Sequence, residues 1–226
     1  MKAIIGGTGI DKLSREGFRE KTMETKYGMA SYMAKDDLVV LLRHGKSHSL
    51  PPHKINYRAN IEALSVLGVQ ETVALYCVGS ISKKVPMGGI GILSDFMDFS
   101  GRNITFFDSI ARHTSVSNPF DQDLSLRLSS FLPEARRDVV YVCTNGPRFE
   151  TRAEVRAYGM LGGDVVGMTG GTEATLLLEK GMKVASAVYS INWCTGVEEE
   201  FSFTSSDQEV KLSERIFLAA REALGV

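Results

Sequence analysis

The chain has 226 residues, 43% of them hydrophobic and 23% charged, which is enough to bury one sizeable core and ordinary for a globular protein. Its 26 basic and 27 acidic residues leave a net charge of -1, so no global positive field draws it to nucleic acid or to an anionic membrane. Only three apolar residues stand between Lys2 and Gly6, too few for a secretion signal, and no run approaches a membrane span, so a cytoplasmic protein is expected.

Short β-branched runs alternate with helical patterns along the chain. Strands are expected at residues 2–5, 39–43, 72–78, 139–143, 164–167 and 183–191. Helices are expected at 57–67 and 124–131; at 153–161, where Thr151 and Glu154 form a capping box; at 173–180; and at 207–224, after Ser206 with Glu209 three residues on. The stretch 85–91 reads as a loop. No repeat, low-complexity tract or linker divides the sequence, so residues 1–226 are read as a single α/β domain. Cys77, Cys143 and Cys194 are odd in number and widely spaced, which favours buried free thiols over a disulfide or a zinc site.

The residues suited to chemistry fall at strand ends. Gly6-Gly7-Thr8-Gly9 follows the first strand, where bare backbone N–H groups and a hydroxyl can meet an anion. It is no dinucleotide fingerprint, because Lys12 stands where the third glycine belongs, and a tight turn explains it equally well alone. Arg43-His44-Gly45 ends the next strand with a fork of donors and an imidazole, although such a pair in isolation reads as solvated surface. His44, His48 and His53 match no established metal spacing, and Pro51-Pro52 breaks any helix that would align them, so no metal is expected. Asn145 to Glu150 places Phe149 and Glu150 before a helix. Their bland readings are a core aromatic and a first-turn acid favoured by the helix dipole. Met168 and Thr169 end another strand and offer a thioether and a hydroxyl. Asn192 ends the last, where an amide presents both a donor and an acceptor to a planar base; a turn-forming Asn is the bland alternative.

Taken in order, these motifs resemble the purine nucleoside phosphorylase and methylthioadenosine phosphorylase family over about residues 2 to 200. The resemblance implies an α/β subunit with a mixed central sheet flanked by helices, assembled as a homotrimer or a higher assembly of trimers. It implies phosphate binding by Thr8, Arg43, His44 and Thr169, base binding by Phe149, Glu150 and Asn192, and ribose contact by Met168. The implied reaction is phosphorolysis of a nucleoside, with inorganic phosphate as nucleophile and co-substrate and no cofactor. Asn192, His44 and Glu150 are the expected catalytic residues.

A 6-oxopurine offers an N1–H donor with O6 and N7 acceptors, which complement the Glu150 carboxylate and the Asn192 amide; adenine reverses that edge. Adenine-preferring relatives carry acids at the positions of Asn192 and Cys194, whereas Thr8, Arg43-His44-Gly45 and residues 56–60 look like the methylthioadenosine branch. Both traits together are similar to the branch acting on S-methyl-5'-thioinosine, with methylthioadenosine or inosine and guanosine as the alternatives. His113, followed by Pro119-Phe120, resembles a histidine that crosses from the neighbouring subunit to the 5' group. Tyr76-Cys77 departs from the smaller polar residues of relatives near phosphate. A nucleoside hydrolase and a non-catalytic nucleoside sensor are the competing classes, separated by phosphate dependence and by turnover.

Overall fold

The computed structural model describes residues 1–13, 16–45 and 48–226. Strands β1 (Lys2–Gly6), β2 (Arg19–Thr25), β3 (Gly28–Lys35) and β4 (Leu38–Leu42) come first, then helix α1 (Tyr57–Val66) and strands β5 (Glu71–Ser80) and β6 (Ile90–Asp98). Helix α2 (Gln122–Ser130), β7 (Arg136–Cys143), α3 (Arg152–Met160), β8 (Val165–Gly167), α4 (Gly170–Glu179), β9 (Lys183–Trp193) and α5 (Ser206–Leu224) follow.

The strands form one nine-stranded mixed sheet in the order β2-β3-β4-β1-β5-β8-β7-β6-β9, and β9 also pairs with β5. That last pairing closes β5, β8, β7, β6 and β9 into a ring, with β4, β3 and β2 extending from it through β1 as a wing. Strand alternation assigns the two faces. Ala3 and Ile5 of β1, and Ala74, Tyr76 and Val78 of β5, pack with Ile61, Leu64 and Leu177 from α1 and α4. Ile4, Val73 and Leu75 point the other way, onto Leu124, Leu128, Ile216 and Ala220 from α2 and α5. Burying both faces explains why the central runs read as continuously apolar.

Several expectations need correction. β2 and β3 carry charged and small residues on an exposed outer face, so no strand signal stood out there. The supposed loop at 85–91 ends in β6; Gly91 hides the strand but is required, since a Cβ there would lie 2.9 Å from Val139 Cγ2. α4 begins at Gly170, three residues early, behind two glycines that suppress helix propensity. The cap of α5 is Ser205, whose side chain accepts from Gln208 N, so the Ser206 and Glu209 pairing is one residue out of register. The sheet itself is mixed, as the resemblance implies. β5 runs parallel to β1 and β9 but antiparallel to β8, so the motifs approach one another from opposing strands.

Candidate active site

A cavity of about 490 Å³ opens where β8 meets the second half of β5, and Thr8, Arg43, His44, Phe149, Glu150, Met168, Thr169 and Asn192 all line it. Eight of the nine residues singled out in the sequence therefore converge. His113 is exposed and, alone of the nine, does not line its own chain's cavity.

At one end lies the glycine turn. A Cβ on Gly7 would sit 2.5 Å from Arg43 Nη1 and 3.4 Å from His44 Nε2, so the bare backbone leaves space onto which both side chains open. Arg43 is almost fully buried. Its Nε donates to Glu173 Oε1 at 2.7 Å and its Nη2 to Glu173 Oε2 at 3.0 Å, a bidentate pair. Nη1 donates to the Leu75 carbonyl at 2.9 Å, Nη2 to that of Ile5 at 3.3 Å, and the guanidinium lies 4.6 Å over the Tyr76 ring. Burial opposes the charge on Arg43, but the Glu173 carboxylate outweighs it and raises the pKa above its ordinary value. The fork expected for a ligand is thus largely engaged by the protein.

His44 Nδ1 lies 2.7 Å from the Leu50 carbonyl. Burial and then the Arg43 charge lower the pKa of His44 to about 4, so the ring is neutral near pH 7. Thr169 begins α4 without a side-chain cap bond, which leaves its hydroxyl on the cavity wall. Tyr141 Oη instead accepts from Thr169 N and Gly170 N at 3.3 and 3.2 Å. Tyr76 is buried beside Glu173 without a hydrogen bond of normal geometry, and burial, then that carboxylate, push its pKa well up. Tyr76 and Cys77 are both wall residues of the cavity.

At the other end, Glu150 is 7% exposed and accepts from Thr144 Oγ1 at 2.8 Å. Asn192 is 4% exposed and donates one amide hydrogen to the Trp193 carbonyl at 2.9 Å, leaving the other N–H and its oxygen. A register shift at Val78/Gly79 and the missing side chain of Gly79, whose Cβ would be 3.2 Å from Asn192 Nδ2, make room for that amide. Phe149 is half exposed and meets Phe201 and Phe203 at ring separations of 5.4 and 6.0 Å. The Phe149–Glu150 segment is anchored by the capping box of Thr151 and Glu154, reinforced by Arg148 on Glu154.

Met168 lines the same cavity. Arg102 binds the Met168 carbonyl at 2.9 Å, Thr172 Oγ1 at 3.2 Å and the Asn145 carbonyl at 2.6 Å, so it ties the two motif loops together. Sequence reasoning missed Arg102, Glu173, Phe201 and Phe203, which lie in polar or irregular stretches or, for Glu173, inside a helix. Among the described residues no group of three His, Cys, Asp or Glu side chains is placed to hold a metal ion, and no helix is long and apolar enough to cross a membrane.

Over residues 3–223 the chain matches the phosphorylase superfamily, and it belongs to that family. It is 40% identical over 213 residues to the 6-oxopurine nucleoside phosphorylase of Pyrococcus furiosus, covering 86% of this chain and 80% of that one. It is also 40% identical over 206 residues to a probable S-methyl-5'-thioinosine phosphorylase of Methanocaldococcus jannaschii, covering 88% and 81%. In structure it is similar to a double mutant of adenosine/methylthioadenosine phosphorylase from Schistosoma mansoni in complex with adenine, with a TM-score of 0.89, 28% identity and coverage of 99% and 91%. The family resemblance read from the motifs and the mixed-sheet α/β fold both hold, and the protein is an enzyme of the purine nucleoside phosphorylase type, a pentosyltransferase.

Proposed function

We propose that the enzyme phosphorolyses 6-oxopurine nucleosides, with S-methyl-5'-thioinosine as substrate and hypoxanthine and 5-methylthioribose 1-phosphate as products. The observation that carries this reading is the pairing of a buried Glu150 carboxylate with a buried Asn192 amide at one end of the cavity. Glu150 accepts from N1–H, and the remaining Asn192 donor serves O6 or N7 as negative charge develops on the departing purine. Phe149 stacks on the base, Met168 supports the ribose, and Thr8, Arg43, His44 and Thr169 form the phosphate end. Hydrogen phosphate supplies the nucleophilic oxygen that bonds to the anomeric carbon as the glycosidic bond breaks. The proton it gives up balances the one the free base gains, so no enzyme-bound covalent intermediate is needed. Phosphate is the co-substrate.

The same geometry accepts inosine or guanosine if a 5'-hydroxyl is tolerated. We assign the 5' end to His113 of a neighbouring copy in a cytoplasmic homotrimer, each chain acting as one domain. Release of base from inosine, 5'-methylthioinosine, adenosine and 5'-methylthioadenosine, with and without phosphate, tests the whole reading. Release should require phosphate and be fastest for 5'-methylthioinosine. Equal release without phosphate, or preference for the adenine compounds, overturns it.

A further inference from the structure

We propose that His44 is a hydrogen-bond acceptor toward the anion, so the subsite selects a tetrahedral oxyanion that still carries a proton at neutral pH, hydrogen phosphate or arsenate, and discriminates against sulfate. This rests on the phosphorolysis reading above and adds the protonation state and the selectivity of the nucleophile.

One hydrogen bond fixes the tautomer of His44. His44 Nδ1 lies 2.7 Å from the Leu50 carbonyl, and a carbonyl oxygen can only accept, so Nδ1 carries the hydrogen. In a neutral imidazole the other nitrogen then presents a lone pair. The ring is held neutral by burial and by the adjacent Arg43 charge, with a pKa of about 4. Other groups nearby do not reverse this, since the His48 ring at 4.4 Å would repel a second charge and Asp11 lies toward His48, 3.8 Å from its Nδ1.

Nε2 lies 3.4 Å, and Arg43 Nη1 2.5 Å, from the point a Cβ on Gly7 would occupy, so both nitrogens border the same space. Two of the five N–H groups of Arg43 bind Glu173 and two bind the Leu75 and Ile5 carbonyls, so one remains, on Nη1. Charge matters as much as geometry. Glu173 neutralises Arg43 and His44 is uncharged, so this end of the cavity attracts an anion through directed hydrogen bonds rather than through net charge. An oxyanion seated there meets a donor from Arg43 and an acceptor from His44. Hydrogen phosphate satisfies both, with one oxygen receiving the Arg43 hydrogen and its P–OH donating to Nε2. Sulfate at neutral pH has four oxygens and no proton, so one of its lone pairs must oppose that of Nε2. A partly buried acceptor left unpaired in this way weakens binding by about tenfold or more.

The test is calorimetric titration of the intact protein at pH 7.5 and fixed ionic strength with inorganic phosphate, arsenate, sulfate and monofluorophosphate, alongside phosphate-dependent base release. Monofluorophosphate keeps the shape and double charge of hydrogen phosphate but replaces P–OH by P–F. Phosphate and arsenate should bind alike, and sulfate and monofluorophosphate at least about tenfold more weakly. His44→Gln supplies an amide N–H that can turn toward an unprotonated oxygen, so the ratio of sulfate to phosphate affinity should rise toward one. Equal affinities for all the anions in the wild type overturn the inference, whether or not the variant folds. So does an unchanged ratio in a folded His44→Gln protein. If base release requires phosphate while the anions bind equally, this inference fails and phosphorolysis stands. If base release ignores phosphate, the phosphorolysis reading itself fails.

Discussion

Arg43 and Glu173 are both about 2% exposed and joined by two hydrogen bonds, and the carboxylate sustains the charge of the buried guanidinium. Removing one partner of such a pair strands a buried charge. Glu173→Gln should therefore cost about 3–5 kcal/mol of stability, while the freed Arg43 charge binds phosphate more tightly. Urea unfolding with and without phosphate checks both, because added phosphate should then protect the variant more than the wild type. His44 gives a pH signature with a definite sign. Its folded pKa of about 4 lies below the 6.5 of an ordinary imidazole, so the unfolded chain binds more protons in that window. The neutral ring thus contributes stability above pH 6.5 that is lost as pH falls toward 4, and His44→Gln should flatten that slope in melting temperatures measured from pH 4 to 7. Asn192→Asp exchanges the amide donor for a carboxyl. It should lower kcat/KM for 5'-methylthioinosine and raise the relative rate on 5'-methylthioadenosine. An unchanged ratio of the two constants removes Asn192 from the base edge. Residues such as Glu150 and Asn192 were legible because a polar side chain at the end of an apolar run is conspicuous. Glu173 was not, since a carboxylate in a helix reads as a solvated face until tertiary packing brings an arginine onto it.

Helix α3 shows how an element aims a site it does not itself contain. Its capping box holds Thr151 and Glu154 together, and Arg148 grips Glu154 from the loop that carries Phe149 and Glu150. Thr151→Ala should destabilise the fold by about 1 kcal/mol and raise KM for the nucleoside more than it lowers kcat, a split read from steady-state kinetics. This box was visible in the sequence because capping is local, spanning a few residues. The neighbouring loop was less so. Gly146 adopts φ 65°, and a Cβ there would lie 2.4 Å from Met168 Sδ, a constraint imposed by a segment more than twenty residues away. Burial likewise separates the strands legible in the sequence from the rest. β1, β5 and β9 are buried on both faces and announce themselves as apolar runs, whereas β2 and β3 rest one face on solvent and β6 is interrupted by glycine.

At the scale of the molecule, the sequence showed alternating strands and helices but not that the sheet would close. The pairing of β5 with β9 joins segments more than a hundred residues apart, and no local pattern encodes it. Assembly is likewise invisible in one chain, yet it has a clear test. If His113 completes a neighbour's site, a mixture of inactive His113→Ala and inactive Asn192→Ala subunits, dissociated and reassembled together, should regain part of the wild-type rate. Continued inactivity in a verified mixed oligomer removes His113 from the site. The ring has a further consequence, for aggregation. A strand bonded on both sides cannot recruit another chain, and closure leaves β2 as the free margin of the sheet among the described residues. That margin carries Arg19, Glu20, Lys21 and Glu24, charges of both signs along a largely exposed strand. They act as gatekeepers against edge-to-edge association, so replacing Lys21 and Glu24 by valine should leave catalysis intact while the protein precipitates at concentrations the wild type tolerates.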